Sequence, residues 1–234
     1  MVITEKISVV IPFYNSEKYL EEALNSVFRQ KTDIYEILLI DDGSEDNSMK
    51  VAEKFLPHVT IYRQENSGAA AARNYGVKKS KGDIVAFLDA DDIWTDNHLD
   101  VLMEPLSANN NIDIVFGKVK IFISPELNNH ISLNLDIYKN VDYGYLPATC
   151  IIRKRVFDGI GYMDTSLELG EFIDWFSKAK DSGIRYVTIP ELVTYRRIHT
   201  TNQGMLKKAH YKDYLKVLHA SVKRKKILHD QPGK

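Results

Sequence analysis

Over its first 108 residues the chain alternates between short apolar runs and longer stretches with a helical period, a rhythm few folds accept. Ile7-Ser8-Val9-Val10-Ile11 is a β-branched run closed by Pro12. Glu17 to Gln30 then carries Leu20, Ala23, Leu24, Val27 and Phe28 on one helical face, with Asn15 or Ser16 placed to cap it. The spacing predicts further strands at Glu36 to Ile40, His58 to Arg63 and Asp83 to Leu88. It predicts helices at Met49 to Phe55, Gly68 to Ser80 and Asp96 to Ala108. Strand, helix, strand at this spacing implies parallel pairing through helical crossovers, and almost wholly apolar strands imply helices on both faces. The expected class is α/β. Ligands of such sheets bind beyond the carboxyl ends of the strands, which singles out Pro12 to Ser16, Asp41 to Ser48, Gln64 to Gly68 and Asp89 to Trp94.

After residue 110 the rhythm changes. Ile112 to Ile123 predicts a longer strand, antiparallel and at an edge, and Ser124 to Gly144 a mobile loop. Ala148 to Ile152 reads as a strand, Arg155 to Ile160 as a short helix, and Glu171 to Asp181 as a helix ended by Gly183. Two strands, Ile184 to Ile189 and Leu192 to Arg197, are expected on either side of Pro190. The organisation read from this is one domain over 1–204, divided near 110 into a first half and a smaller second region, followed by a tail.

The tail, 205–234, holds nine Lys and Arg against two Asp, a balance of +7. The whole chain has 31 Lys and Arg against 32 Asp and Glu, a net charge of −1, so the remainder stands at −1 − 7 = −8. A near-neutral total argues against a surface built for nucleic acid. The tail reads first as a solvated helix docked on the domain, and second as a contact for an acidic surface, whether membrane or protein. The single cysteine, Cys150, forms no intramolecular disulfide, which fits a reducing compartment. The first six residues lead straight into a strand, leaving no room for a signal peptide, and no apolar stretch reaches a membrane-span length. A cytoplasmic protein is expected.

Two acidic clusters end apolar strands: Asp41-Asp42-Gly43-Ser44-Glu45-Asp46 and Asp89-Ala90-Asp91-Asp92. One such Asp is ordinarily a turn former or helix cap. Several on one sheet edge repel each other unless a cation sits among them, and a hard divalent ion, Mg²⁺ or Mn²⁺, with phosphate oxygens is the natural partner. Asn66-Ser67-Gly68 precedes Ala69-Ala70-Ala71-Ala72-Arg73-Asn74, where small residues and a helix N-terminus permit close approach of an anion. Arg73 lies one turn further in, within reach of a base or phosphate.

Val10-Ile11-Pro12-Phe13-Tyr14-Asn15, Asp41-Asp42-Gly43-Ser44, Asn66-Ser67-Gly68 with Arg73-Asn74, and Asp89-Ala90-Asp91-Asp92 resemble, in order and spacing, the motifs of glycosyltransferase family 2. The resemblance covers about residues 6 to 200. It implies a GT-A fold: a Rossmann-like nucleotide-binding sheet with helices on both faces and a smaller acceptor-side region. It also implies inverting transfer of a sugar from a nucleoside diphosphate donor, with a uridine diphosphate sugar favoured. By the same resemblance Pro12, Tyr14 and Asn15 form the donor loop, with the Tyr14 ring near the base. Asp41 and Asp42 meet base and ribose, and Gly68 and Arg73 serve the nucleotide. Asp89 and Asp91 are the ends of an Asp-x-Asp motif, Asp91 preferred as the metal ligand and Asp89 as the ribose or water-mediated contact. Asp92 is open between supporting that loop and capping a helix. A bound divalent ion would stabilise charge on the departing diphosphate, and a carboxylate would take the acceptor proton.

The base is where the sequence departs from the family pattern of a Glu-Asp pair. Leu169-Gly170-Glu171-Phe172-Ile173-Asp174 places Phe172 where the Asp is expected. Glu171 and Asp174 are three apart and share a helical face, so either is a candidate; the plain alternative is a pair of helix N-terminal charges. His199, after Arg196-Arg197-Ile198, is the candidate to complete the metal or diphosphate site, and Thr200 to Gly204 a segment able to close over donor. The acceptor is an unidentified hydroxyl on a glycan, lipid-linked glycan, peptide or small molecule. Two other readings compete: a catalytically silent nucleotide- or sugar-binding relative, prompted by Phe172, and a sugar-phosphate nucleotidyltransferase. The latter ranks low because no Gly-rich basic loop follows the first strand. A dinucleotide-binding dehydrogenase is set aside likewise, for want of G-x-G-x-x-G.

Overall fold

The computed structural model describes residues 5–127, 141–202 and 212–229. Three parallel pairings build the first half. β1 (Ile7–Phe13) lies between β2 (Glu36–Asp41) and β4 (Ile84–Phe87), and β3 (Thr60–Arg63) adds to β2. The helices between them are α1 (Leu20–Phe28), α2 (Ser48–Glu53) and α3 (Ala69–Lys79). Side chains alternate across the strands as a pleat requires. Ile7, Val9, Ile11, Ile37 and Leu39 pack on one face with α1, α2 and α4 (His98–Ala108), while Val10, Leu38 and Ile40 pack on the other with α3. α3 comes close enough that a Cβ on Gly76 would lie 2.2 Å from Val10 Cγ1, so only glycine fits there. This is a doubly covered sheet, as the apolar strands predict.

The second half joins the same sheet with mixed polarity. β8 (Cys150–Arg153) runs antiparallel to β4, and β6 (Ile114–Ile123) antiparallel to β8. β9 (Tyr186–Ile198) pairs parallel with β6, and the short β5 (Ile93–Trp94) closes the order β3-β2-β1-β4-β8-β6-β9-β5. β7 (Val141–Tyr143) pairs with β6 beside β8. α5 (Arg155–Ile160) and α6 (Glu171–Asp181) cover the α3 face through Phe157, Phe172, Trp175 and Phe176.

Five expectations change. β1 continues through Pro12 to Phe13. Val10 accepts from Leu88, so alternate residues of β1 face β4, and β4 pairs only as far as Val10; the missing N–H of Pro12 therefore costs no ladder bond. α1 begins at Leu20 without a side-chain cap, because the Asn15 amide oxygen accepts from Glu45 N–H instead. β6 is interior, flanked by β8 and β9, and not at an edge. The two strands expected around Pro190 are one, and the proline is absorbed where the β6–β9 register jumps from Phe116↔Thr188 to Lys118↔Leu192. Of the loop expected over 124–144, residues 128–140 lie outside the described residues, Pro125–Leu127 form a 3₁₀ turn, and β7 was missed.

The last helix, α7 (Lys212–His229), packs on α6. Val217 is buried, the Tyr214 ring lies against Gly170, and Arg224 pairs with Asp181 and reaches Ser177. No helix among the described residues is long and apolar enough to cross a membrane.

Candidate active site

The parallel half delivers its acidic residues to one edge. Asp42, just past β2, is wrapped by the loop before α3. One oxygen accepts from Gln64 (2.7 Å) and Ser67 N–H (2.9 Å), the other from Gly68 N–H (2.9 Å). Asp41 is fully buried; Oδ1 accepts from Ser44 N–H, and Oδ2 has no hydrogen bond but lies 3.3 Å from the Arg63 Nε. These bonds of the two carboxylates shape the loops around Gly43 and Gly68. Those loops, with Arg63, Gln64 and Asn66, line an open groove. Tyr14 stands at 41% exposure nearby in sequence, on a loop held by Asn15, whose φ is +48° and whose N–H donates to Ser44 Oγ.

Two groups form around the Asp89-Ala90-Asp91-Asp92 loop. In the first, the buried Arg73 joins Asp89 (2.5 Å) to Glu171 (2.8 Å), a carboxylate 98 positions away. Burial alone would lower the Arg73 pKa, but the two carboxylates outweigh it and raise it above its ordinary value. In the second, His199 Nε2 lies 2.9 Å from Asp91 Oδ2, which also accepts from the Asn202 amide at 3.1 Å. Thr201 N–H donates to His199 Nδ1 (3.3 Å), leaving Nε2 to carry the proton toward Asp91; Thr201 Oγ1, 2.9 Å from Nδ1, can accept from it in the other tautomer.

Asp92 does not cap a helix. It is buried and accepts from Arg197 N–H at 3.0 Å, tying the acidic loop to β9. Burial first, then the nearby charges of Asp91 and Asp89, push its pKa well up. Arg197 completes the tie. Its Nε donates to the Asp91 carbonyl, its Nη2 to Glu22, and its guanidinium lies over the rings of Tyr19 and Phe122.

Glu171 and Asp174 part company despite their shared spacing. Glu171 turns to Arg73 and Asp89, while Asp174 is buried against Lys178 (2.6 Å) and Arg224 of α7 (3.5 Å). Asp174 therefore points away from the acidic loop, toward Lys178 one turn on along α6 and Arg224 of α7. Phe172 is buried between Phe116 and Trp175, a core position that would disfavour a carboxylate.

The cation expected among the acidic residues is partly supplied by the protein, as Arg63 and Arg73. Among the described residues no three His, Cys, Asp or Glu side chains converge as a metal cluster. Asp91 and His199 nevertheless offer one carboxylate and one imidazole on the same spot. That set suits Mg²⁺ or Mn²⁺, which takes few protein ligands and completes its shell with phosphate oxygens and water. The bonds from Asn202 and Arg197 to Asp91 and its loop are contacts that the sequence reading missed. Both residues sit within three positions of His199, which was the only signal available.

Residues 8–162 match the sequence profile described as "Glycosyl transferase family 2". The chain is 38% identical over 119 residues to glycosyltransferase GlyG of Streptococcus pneumoniae, covering 49% of this chain and 39% of GlyG. It is 30% identical over 189 residues to the Escherichia coli UDP-Glc:alpha-D-GlcNAc-diphosphoundecaprenol beta-1,3-glucosyltransferase WfgD, covering 76% of this chain and 71% of WfgD. Among solved structures, Staphylococcus aureus TarS 1–349 in complex with UDP-GlcNAc superposes with a TM-score of 0.74 at 22% identity, covering 94% of this chain and 66% of that one. The Pyrobaculum calidifontis mannosyltransferase PcManGT, in complex with GDP-Man and Mn²⁺, superposes at 0.71 with 16% identity, covering 94% and 64%. The chain thus spans less than two thirds of GlyG and of both solved neighbours, and the fold they share is the GT-A fold.

Proposed function

The chain belongs to glycosyl transferase family 2, and from that premise we propose that it transfers a sugar from a uridine diphosphate donor to an acceptor hydroxyl with inversion. The observation that carries the reading is the Asp89–Arg73–Glu171 bridge, which holds a carboxylate of α6 against the donor-side acidic loop. In this reading the donor lies across the ends of β1, β2 and β4. Pro12, Tyr14 and Asn15 shape its loop, the exposed Tyr14 ring offers a face to the base, and Asp41, Asp42 and Gly68 fix the groove beside it. Arg73 and Asp89 meet the nucleotide, and Asp91 and His199 would hold Mg²⁺ or Mn²⁺. When bound, that ion neutralises charge on the leaving diphosphate.

Glu171 takes the proton of the acceptor hydroxyl. The hydroxyl oxygen attacks the anomeric carbon from the face opposite the diphosphate. Its bond to the phosphate oxygen breaks, and the electron pair leaves on the nucleoside diphosphate. Arg73 orients Glu171 for this task. Asp174, held by Lys178 and Arg224, serves the packing of α7 instead. WfgD uses a UDP-sugar and a lipid-linked acceptor by its name, which supports UDP as donor base and makes a lipid-linked glycan the first acceptor class to try. A cytoplasmic setting fits the free, buried Cys150.

Titration calorimetry with uridine, guanosine and thymidine diphosphates, each with and without Mn²⁺, tests the donor. Uridine diphosphate is expected to bind tightest and to need the ion; guanosine diphosphate in first place would overturn the base assignment. NMR of the anomeric proton in the product tests inversion. A second reading, a binding module without turnover, rests on the buried Phe172. Tight binding of a sugar nucleotide with neither hydrolysis nor transfer would favour it.

A further inference from the structure

The helix α7 has two faces with different fates. Its inner face is fixed: Val217 is buried, Asp213 accepts from Glu168 N–H at 3.1 Å, Ser221 meets Ser177, and Arg224 binds Asp181. Its outer face carries Leu215 and Leu218 at 58% exposure and Val222 at 46%. Spaced by three and four, they form one stripe. Lys212 and Lys223 flank it on one side and Lys225 on the other, with Lys226 at its far end, all exposed. None of these four lysines pairs with a carboxylate among the described residues. The helix holds six Lys and Arg against one Asp, a balance of +5, on a molecule that is acidic elsewhere.

We propose that this outer face docks on the surface of an anionic lipid bilayer, with α7 lying in the interfacial plane. An aliphatic stripe between unpaired lysines matches such a surface in both terms: the leucines and valine enter the acyl boundary, and the ammonium groups meet the phosphate headgroups. A groove-forming protein partner fits less well. It would need to wrap the helix, and half of α7 is already held by α6. The geometry also has a bearing on the site. Tyr214 lies against Gly170, the residue before Glu171, so docking would set the Glu171 end of α6 close to the lipid surface. The docking itself stands whether or not the chain is a transferase.

Co-sedimentation of the full chain with vesicles tests the proposal. Vesicles of equal parts phosphatidylcholine and phosphatidylglycerol should pellet it, pure phosphatidylcholine should not, and high salt should weaken the binding. Replacing Lys223, Lys225 and Lys226 together by Ser should lower the partition coefficient about a hundredfold, at roughly a factor of five per lysine. Leu215→Asp with Leu218→Asp should lower it at least about tenfold. Both variants change exposed positions, and their thermal melts check that the fold survives. Equal binding to neutral and anionic vesicles, or unchanged binding in both variants, would overturn the proposal. So would dimerisation without vesicles that the double leucine variant abolishes, which would assign the face to a second copy.

Discussion

The two halves of the sheet hold their functional groups by different means. In the parallel half each group stands in a short motif at a strand end, and its partners come from the same loop or the next one along the sheet edge. Asp41 bonds Ser44, and Asp42 bonds Gln64, Ser67 and Gly68. In the mixed half the groups reach back across the molecule. Glu171 meets Arg73, and His199 meets Asp91, 108 positions away. The first half therefore carries a candidate site whose carboxylates are fixed largely by loop backbone. The second contributes single side chains whose direction depends on what else packs there.

The largest expected effect falls where the halves meet at the acidic loop. Asp91→Ala should abolish transfer and weaken nucleoside diphosphate binding in the presence of Mn²⁺, with the fold intact, as calorimetry and a product assay would register. Full activity in this variant, or turnover of the parent without any divalent ion, would remove the Asp91–His199 pair from the chemistry.

Next comes the divergence of Glu171 and Asp174. Glu171→Gln should keep donor affinity and lower kcat by about 10²- to 10⁴-fold, the range of general-base catalysis. Asp174→Asn should leave kcat within a few-fold but lower stability by about 1–3 kcal/mol in urea denaturation, since it leaves Lys178 and Arg224 without their partly buried anion. A large kcat loss in Asp174→Asn and none in Glu171→Gln would reverse the assignment. A helix N-terminal charge effect alone would be a few tenths of a kcal/mol; the contact with α7 makes the expected cost larger.

How far this was legible follows the same division. The strand order of the first half, its doubly covered sheet and the loops that converge follow from periodicity, because βαβ units constrain each other locally. The contiguous motifs brought Asp89, Asp91 and Arg73 together on that basis. Spacing could not show that Asp42 is spent on loop hydrogen bonds, which depends on the fold of Gln64 to Gly68. Nor could it separate Glu171 from Asp174, because one of the two cations that hold Asp174, Arg224, comes from a helix 50 residues on. β6 was misplaced at an edge for a related reason: its neighbours β8 and β9 follow it in the chain, after a stretch with no clear period.

The loop of the parallel half can be loosened without touching a carboxylate. Gly68 sits at φ +88°, ψ 163°, a region essentially closed to other residues, while a Cβ there would meet no atom within 4 Å. Gly68→Ala should therefore cost about 1–3 kcal/mol through backbone strain alone. It should also weaken uridine diphosphate binding, because Gly68 N–H is one of the bonds to Asp42. Unchanged stability and affinity would show that the loop conformation is not the one that holds donor.

The seam between the halves carries one more test, through pH. His98 on α4 is fully buried, stacked on Trp94 at 3.9 Å, with Nδ1 2.9 Å from the Val193 carbonyl of β9 and Nε2 without a partner. Burial lowers its pKa to about 3, against the pull of the Val193 carbonyl in the opposite direction. The unfolded chain has an ordinary histidine there, titrating near 6.5. Between those two values the unfolded state binds the proton and the folded state does not. This contribution to stability is therefore fully present above pH 6.5 and is lost as pH falls toward 3. The slope is about 1.4 kcal/mol per pH unit. His98→Phe removes the titration while keeping a ring against Trp94, and the Val193 carbonyl keeps its bonds from Thr95 N–H and Oγ1. Urea denaturation between pH 7 and 4.5 should show the parent losing stability more steeply than the variant, by about that slope for this one group. Parallel loss in both would mean that folded His98 takes up its proton as readily as the unfolded chain does, with α4 and β9 parting enough to hydrate it.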